Sequence, residues 1–80
     1  MYYIYFLRSQ KEPLRTYIGY TAHIEQRLET HNAGGSEYTR RDRPWELVSY
    51  VAFVSEEKAL DFEKRVKSGS ANLFVKKNFW

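Results

Sequence analysis

The stretch Tyr17-Ile18-Gly19-Tyr20-Thr21-Ala22-His23-Ile24-Glu25-Gln26-Arg27-Leu28-Glu29-Thr30-His31 decides how the chain is read. Thr16 to Tyr20 has the β-branched and aromatic content of a short strand. Thr21 is a good N-cap candidate for a helix over Ala22–His31. At about 100° per residue, Ile24, Arg27, Leu28 and His31 fall at i, i+3, i+4 and i+7 and share one arc. Glu25, Gln26, Glu29 and Thr30 lie elsewhere on the helix and read as solvated. Strand, turn and helix in this order place Tyr17, Arg27 and His31 around one small space. Gly19 inside a strand marks a bulge or the close approach of another group. Asn32 and Gly34-Gly35 end the helix, since both residue types accept a left-handed turn.

The rest of the chain supplies what this unit lacks. Tyr2 to Leu7 is a strand with Ile4 and Phe6 on one face and Tyr3, Tyr5 and Leu7 on the other. Both faces are apolar or aromatic, as in a central strand covered on two sides. Arg8 to Arg15 is polar, contains Pro13 and reads as a hairpin loop. Ser36 to Trp45 is a loop carrying Arg40, Arg41, Arg43 and Pro44. Glu46 to Val54 is a third strand, with Leu47, Val51 and Phe53 alternating against Val48, Tyr50 and Val54. Ser55 caps a second helix that has Glu56 and Glu57 in its positive first turn and runs to about Lys67. Gly69 stops it, and Ser70 can cap a short last helix ending near Asn78. The order ββαβαα predicts an α+β fold, a small three-stranded, mostly antiparallel sheet flanked by helices. Residues 1–80 form one domain.

Composition bounds the remaining possibilities. An 80-residue chain buries only about 60–65% of its unfolded surface, so its core is limited. With no cysteine, neither disulfides nor thiolate metal sites can strengthen it. The core must come from hydrophobic residues, with seven Tyr, five Phe and two Trp among them. The first residues lack a basic segment and a cleavage site, and no apolar run approaches the roughly 18 residues of a membrane span. A soluble cytoplasmic domain without membrane contact is expected. The net charge of +3 is compatible with a polyanionic partner.

Several residues can carry chemistry, each with a plainer reading beside it. Arg27 can bind a phosphate bidentately, or it can lay its stem on the core edge with its head in water. His31 can transfer protons or bind phosphate, or it can simply answer the dipole at the helix C-terminus. Glu63 shares an arc with Ala59, Phe62 and Val66. A carboxylate on an apolar face is expensive unless it meets a cation. A metal ligand and a salt bridge to an arginine are equally compatible with that placement, and one carboxylate with water and phosphate oxygens suits Mg2+. Tyr5 and Tyr17 sit at strand positions from which a hydroxyl could emerge. The loop Tyr38-Thr39-Arg40-Arg41-Asp42-Arg43-Pro44-Trp45 mixes phosphate-binding arginines with aromatics that can stack on bases, and it can equally be a solvated basic loop. P-loop, Rossmann, His-Glu-x-x-His and Gly-x-Ser-x-Gly patterns are absent from the sequence.

Together these residues resemble the GIY-YIG nuclease family over nearly the whole chain. Tyr3-Ile4-Tyr5 corresponds to the first family motif, with tyrosine in place of its glycine, and Tyr17-Ile18-Gly19 to the second. Ile24, Arg27, Leu28, His31 and Asn32 look like the family's arginine-bearing helix. Tyr38-Thr39 and Arg43 to Val48 look like its connecting loop and third strand, and Ala59, Glu63 and Lys67 like its metal-binding helix. The chain is similar to the small single-domain branch, related to the module of an excision-repair nuclease.

The resemblance implies hydrolysis of DNA phosphodiesters, branched or damaged DNA included, in repair or recombination. It implies one Mg2+ or Mn2+ held by Glu63 and no small-molecule cofactor. Arg27 would bind the scissile phosphate, Tyr5 and Tyr17 would orient or deprotonate water, and His31 would assist. Arg40, Arg41, Arg43 and Lys67 are expected to contact nucleic acid, and Asn72 corresponds to a late asparagine near the site in some members. The rival expectation is a non-catalytic nucleic-acid-binding module of the same fold. A third is a protein-interaction domain using the aromatic surface.

Overall fold

In the computed structural model, strand β1 (Tyr2–Ser9) is the middle of the sheet. The structure describes residues 1–68 and 72–80, the side chains of 72 and 73 excepted. β1 pairs antiparallel with β2 (Thr16–Thr21) on one edge and with β3 (Trp45–Phe53) on the other, giving the order β2-β1-β3. A strand with neighbours on both edges and helices on both faces must be apolar throughout, and Ile4, Tyr5, Phe6 and Leu7 are all buried.

The two faces hold two cores. Ile4 and Phe6 pack with Ala59 and Val66 of α2 (Glu56–Val66) and Val75 of α3 (Asn72–Phe79). Phe6 is enclosed by aromatics: its ring stacks on Phe79 at 4.7 Å and meets Trp80 edge-on at 5.4 Å. Such pairs add about 0.5–1.5 kcal/mol each beyond the area they bury. Arg8 donates to the Trp80 carbonyl at 3.1 Å and lies over its ring. On the opposite face Tyr5, Leu7 and Trp45 pack with Tyr17 and Leu47 and with Ile24 and Leu28 of α1 (Ile24–Asn32). The α+β class, the element order and the antiparallel sheet match the expectation.

Three local expectations are corrected. Leu47 does not share a face with Val51 and Phe53. A register shift places Ser49 opposite Phe6 and Leu47 opposite Leu7, leaving Val48 as the extra residue. The bulge turns Leu47 to the Tyr5 face while Val51 and Phe53 stay on the Phe6 face. Thr21 does not cap α1: it is the last residue of β2, and its hydroxyl accepts from the His23 amide at 3.0 Å. A local turn of this kind competes with helix initiation, so α1 begins at Ile24 instead of Ala22. Third, β1 runs on to Ser9, because Ser9 is itself an anchor. Its buried hydroxyl accepts from the Lys11 and Glu12 amides and donates to the Asp42 carbonyl, tying the β1–β2 hairpin to the arginine loop.

Other sequence signals acted as expected. Ser55 caps α2 by accepting from the Lys58 amide at 3.3 Å. Gly34 has the left-handed φ of +83°. The expected stop at Gly69 and cap at Ser70 lie outside the described residues. Among the described residues no helix is long and apolar enough to cross a membrane.

Candidate active site

The site is built where β1, β2 and α1 meet. Tyr5 on β1 lies directly opposite Gly19 on β2. A Cβ at Gly19 would collide with the Tyr5 hydroxyl and ring, and it would lie 2.9 Å from Tyr17. The glycine therefore makes room for a phenol laid across the neighbouring strand, which is the close approach its position implied. Tyr17 adjoins Tyr5 with ring centroids 6.2 Å apart, and His31 adjoins both, at 5.8 Å from Tyr5 and 5.1 Å from Tyr17.

His31 is buried and held at both nitrogens. Nε2 is 2.9 Å from the Tyr5 hydroxyl and Nδ1 is 2.7 Å from Thr39 Oγ1. Thr39 is itself fixed, because its carbonyl accepts from the Trp45 indole N–H at 2.8 Å. Trp45 in turn is gripped by Asn32, whose side-chain oxygen accepts from its amide and whose side-chain nitrogen donates to its carbonyl. Burial, then the nearby Arg27 charge, pushes the imidazole pKa down from 6.5, so His31 is neutral at pH 7. Burial pushes the Tyr5 hydroxyl well above 10, helped by Tyr17 and Glu63, while Arg27 pulls the other way. Tyr5 is thus protonated at neutral pH. A protonated phenol can donate, and in the tautomer that carries its proton on Nδ1, toward Thr39, the bare Nε2 accepts from it.

The two charged residues singled out in the sequence act on this same phenol. Arg27 is exposed on α1 and borders a shallow hollow with Thr21 and Gln26. Glu63 on α2 is only 21% exposed and pairs with Lys67 at 3.1 Å, not with an arginine. The Lys67 ammonium lies 6.0 Å from the Tyr17 ring centre. Tyr5, Tyr17, His31, Lys67 and Glu63 are thereby linked by successive contacts, and Arg27 joins them through its field.

Arg40, Arg41 and Arg43 stand apart from this group. Arg40 and Arg41 belong to a short 3-10 turn (Arg40–Asp42), and Arg43 lays its guanidinium over Gly34 at the end of α1. Among the described residues no hydrogen bond, ion pair or ring contact joins the three to Tyr5 or His31. Asn72 opens α3, and its side chain lies outside the described residues. Thr39 and Asn32 have site-building roles that sequence periodicity does not signal. Both act through hydrogen bonds to residues distant in the chain, which leave no repeat to read.

Among the described residues no three His, Cys, Asp or Glu side chains converge as a ready-made metal cage. Glu63 as a lone carboxylate suits a hard cation that keeps most of its waters and completes its shell with substrate phosphate.

Comparison with known proteins agrees with this geometry. The family model for the GIY-YIG catalytic domain matches residues 1–78. The chain is 46% identical over 68 residues to the structure-specific endonuclease subunit slx1 of Talaromyces marneffei, covering 78% of this chain but only 18% of that protein. It is 37% identical over 67 residues to a UPF0213 protein of Oceanobacillus iheyensis, covering 82% of this chain and 76% of the relative. The solution NMR structure of a UPF0213 protein from Bacillus halodurans superposes with a TM-score of 0.56 at 33% identity, covering 99% of this chain and 87% of that one. With family match, relatives and architecture in agreement, the chain belongs to the GIY-YIG nuclease family.

Proposed function

We propose that residues 1–80 act as a single domain that hydrolyses DNA phosphodiester bonds with the help of a divalent metal ion. The observation that carries this reading is the convergence on one phenol. Tyr5 touches His31, and both a cation, Arg27, and a carboxylate, Glu63, act on its hydroxyl. Phosphodiester hydrolysis needs those opposed charges in one place, one for the phosphate and one for a counter-cation.

Arg27 binds the scissile phosphate and stabilises charge developing on its oxygens. Glu63 would hold Mg2+ or Mn2+, which would supply Lewis-acid charge for the phosphate when bound. Tyr17 and Tyr5 orient the attacking water. As water oxygen bonds to phosphorus, Tyr5 takes its proton and passes its own to Nε2 of neutral His31. The phosphorus–oxygen bond breaks, and the leaving oxygen is protonated from solvent. This relay needs no free phenolate, which the raised Tyr5 pKa disfavours at neutral pH. Lys67 contacts phosphate near Tyr17, with Arg40, Arg41 and Arg43 contributing more distant charge. The match to a structure-specific endonuclease subunit supports a substrate chosen by its structure, which we take to be branched or damaged DNA in repair or recombination.

Incubation with nicked, branched and plasmid DNA plus Mg2+ or Mn2+ tests the proposal. Glu63→Ala should abolish cleavage, and Arg27→Ala should slow it by about 10²–10³-fold, the cost of one lost charge-stabilising contact. Cleavage that survives Glu63→Ala would refute the assignment.

A further inference from the structure

One broad groove of the molecule is not explained by the catalytic cluster. A groove of about 800 Å³ begins at Tyr17 and Lys67 and runs between the β1–β2 hairpin and α3 toward Trp80. Arg8, Arg15 and Lys76 line it together with Lys67, against one carboxylate, Asp42. Arg8 is held in place by the Trp80 carbonyl and ring. At the mouth stand two large apolar side chains that the fold does not use. Leu14 at the hairpin tip is 91% exposed and Tyr38 is 88% exposed.

Cations along a groove with aromatic faces at intervals are the elements that bind single-stranded nucleic acid, the charges tracking phosphates and the rings stacking on bases. Exposed Leu and Pro side chains can serve as wedges against a base step, and Pro13 adjoins Leu14 on the same rim. A duplex keeps its bases stacked inside and offers nothing to stack on these rings. Tyr38, Thr39, Asp42 and Trp45 of the arginine loop line the groove but Arg40, Arg41 and Arg43 do not, so its cations come from other elements.

We propose that this groove takes a single strand of nucleic acid where it leaves a duplex, with Leu14 and Tyr38 packing against the last base pair. The inference rests on the nuclease reading only in taking nucleic acid as the ligand. It places one arm of a branched substrate: the unpaired strand at its junction with duplex, leading away from Tyr17.

Fluorescence anisotropy in EDTA separates this from catalysis. The probes are a fluorescein-labelled splayed-arm duplex and its fully paired counterpart. The chain should bind the splayed probe roughly 5- to 150-fold more tightly, the equivalent of stacking one base. Tyr38→Ser and Leu14→Ser, at exposed positions where the fold is insensitive, should reduce that preference without weakening duplex binding. Arg15→Glu with Lys76→Glu should make the salt dependence shallower by about 0.7 in log–log slope for each cation removed. Equal affinity for the two probes, or wild-type binding by the double charge reversal, would overturn the proposal. Metal-dependent cleavage that persists alongside such a result would leave the nuclease reading standing. Junction binding by a chain that cleaves nothing would uphold the groove and defeat the nuclease reading.

Discussion

Gly19→Ala is the most direct test of how the site is built. The added methyl has no free volume: it meets the Tyr5 hydroxyl and ring carbon and lies 2.9 Å from Tyr17. Tyr5 cannot yield by swinging outward, because it is buried and its hydroxyl is bonded to His31. Forcing a methyl into a packed core costs about 1–3 kcal/mol. Displacing the phenol adds about 1–3 kcal/mol if Tyr5 and His31 are left unpaired in the interior. Together they make a loss of about 2–6 kcal/mol, a large fraction of the total stability of a small domain. For a domain of this size it lowers Tm by an amount on the order of 10–50 °C. Thermal melts followed by circular dichroism measure it. The same substitution on a Tyr5→Leu background should cost far less, since the clashing atoms are gone and the two changes are coupled. A Gly19→Ala protein melting within about 3 °C of wild type, a change below ~1 kcal/mol, would refute the claim that this glycine exists to admit Tyr5.

Three further outcomes are expected. Asn32→Ala leaves the Trp45 amide and carbonyl without their partners; it should lower stability by about 1–3 kcal/mol, measured by urea unfolding, with Asn32→Asp intermediate because it keeps the acceptor. Glu63→Ala should leave Tm nearly unchanged while cleavage is lost. The Lys67–Glu63 pair is partly exposed, at 48% and 21%, and such pairs contribute below about 1 kcal/mol; a Tm drop well beyond that would make Glu63 structural. The third concerns pH. The folded state holds His31 neutral with its pKa below 6.5, so the unfolded chain binds the extra proton first. Its contribution is complete above about pH 6.5 and declines as pH falls toward the folded-state value. Urea midpoints between about pH 8 and 5 should fall on the acid side, and the loss should be smaller in His31→Gln. A His31 ring that titrates at its ordinary value by NMR would contradict this.

What the sequence disclosed divides by the range of the interaction. β1 was legible because its apolar run on both faces is a local pattern with one common outcome, a strand enclosed on both sides. Ser55 and Gly34 were legible for the same reason, each acting on its own helix end. The side of Leu47 was not, because a bulge changes alternation without changing composition. Thr21 fits a cap by residue type, yet its hydroxyl was committed to a turn two residues on. At the site, helical phasing put Arg27 and His31 on one arc and marked Glu63 as out of place. It did not reveal that His31 is fully enclosed and gripped by Thr39, nor that Asn32 holds Trp45. These bonds reach across 8 and 13 residues of chain, and only the folded path brings their ends together. The lysine one turn beyond Glu63 stands in plain view at i+4, though the two readings of that carboxylate look to a metal ion or to an arginine.

The position of Phe6 carries a consequence for how the molecule comes into being. Its ring lies between Phe79 and Trp80, so its enclosure is completed by residues made more than seventy positions later. The β1–β2 hairpin can close early and locally, whereas the Ile4 and Phe6 face stays bare until α2 and α3 arrive. Contacts this far apart in sequence are slow to find one another. Throughout that interval the growing chain presents an apolar strand with one unpaired edge, the form most prone to pair with a second copy of itself. The central strand that makes the finished domain secure is therefore its point of greatest exposure on the ribosome.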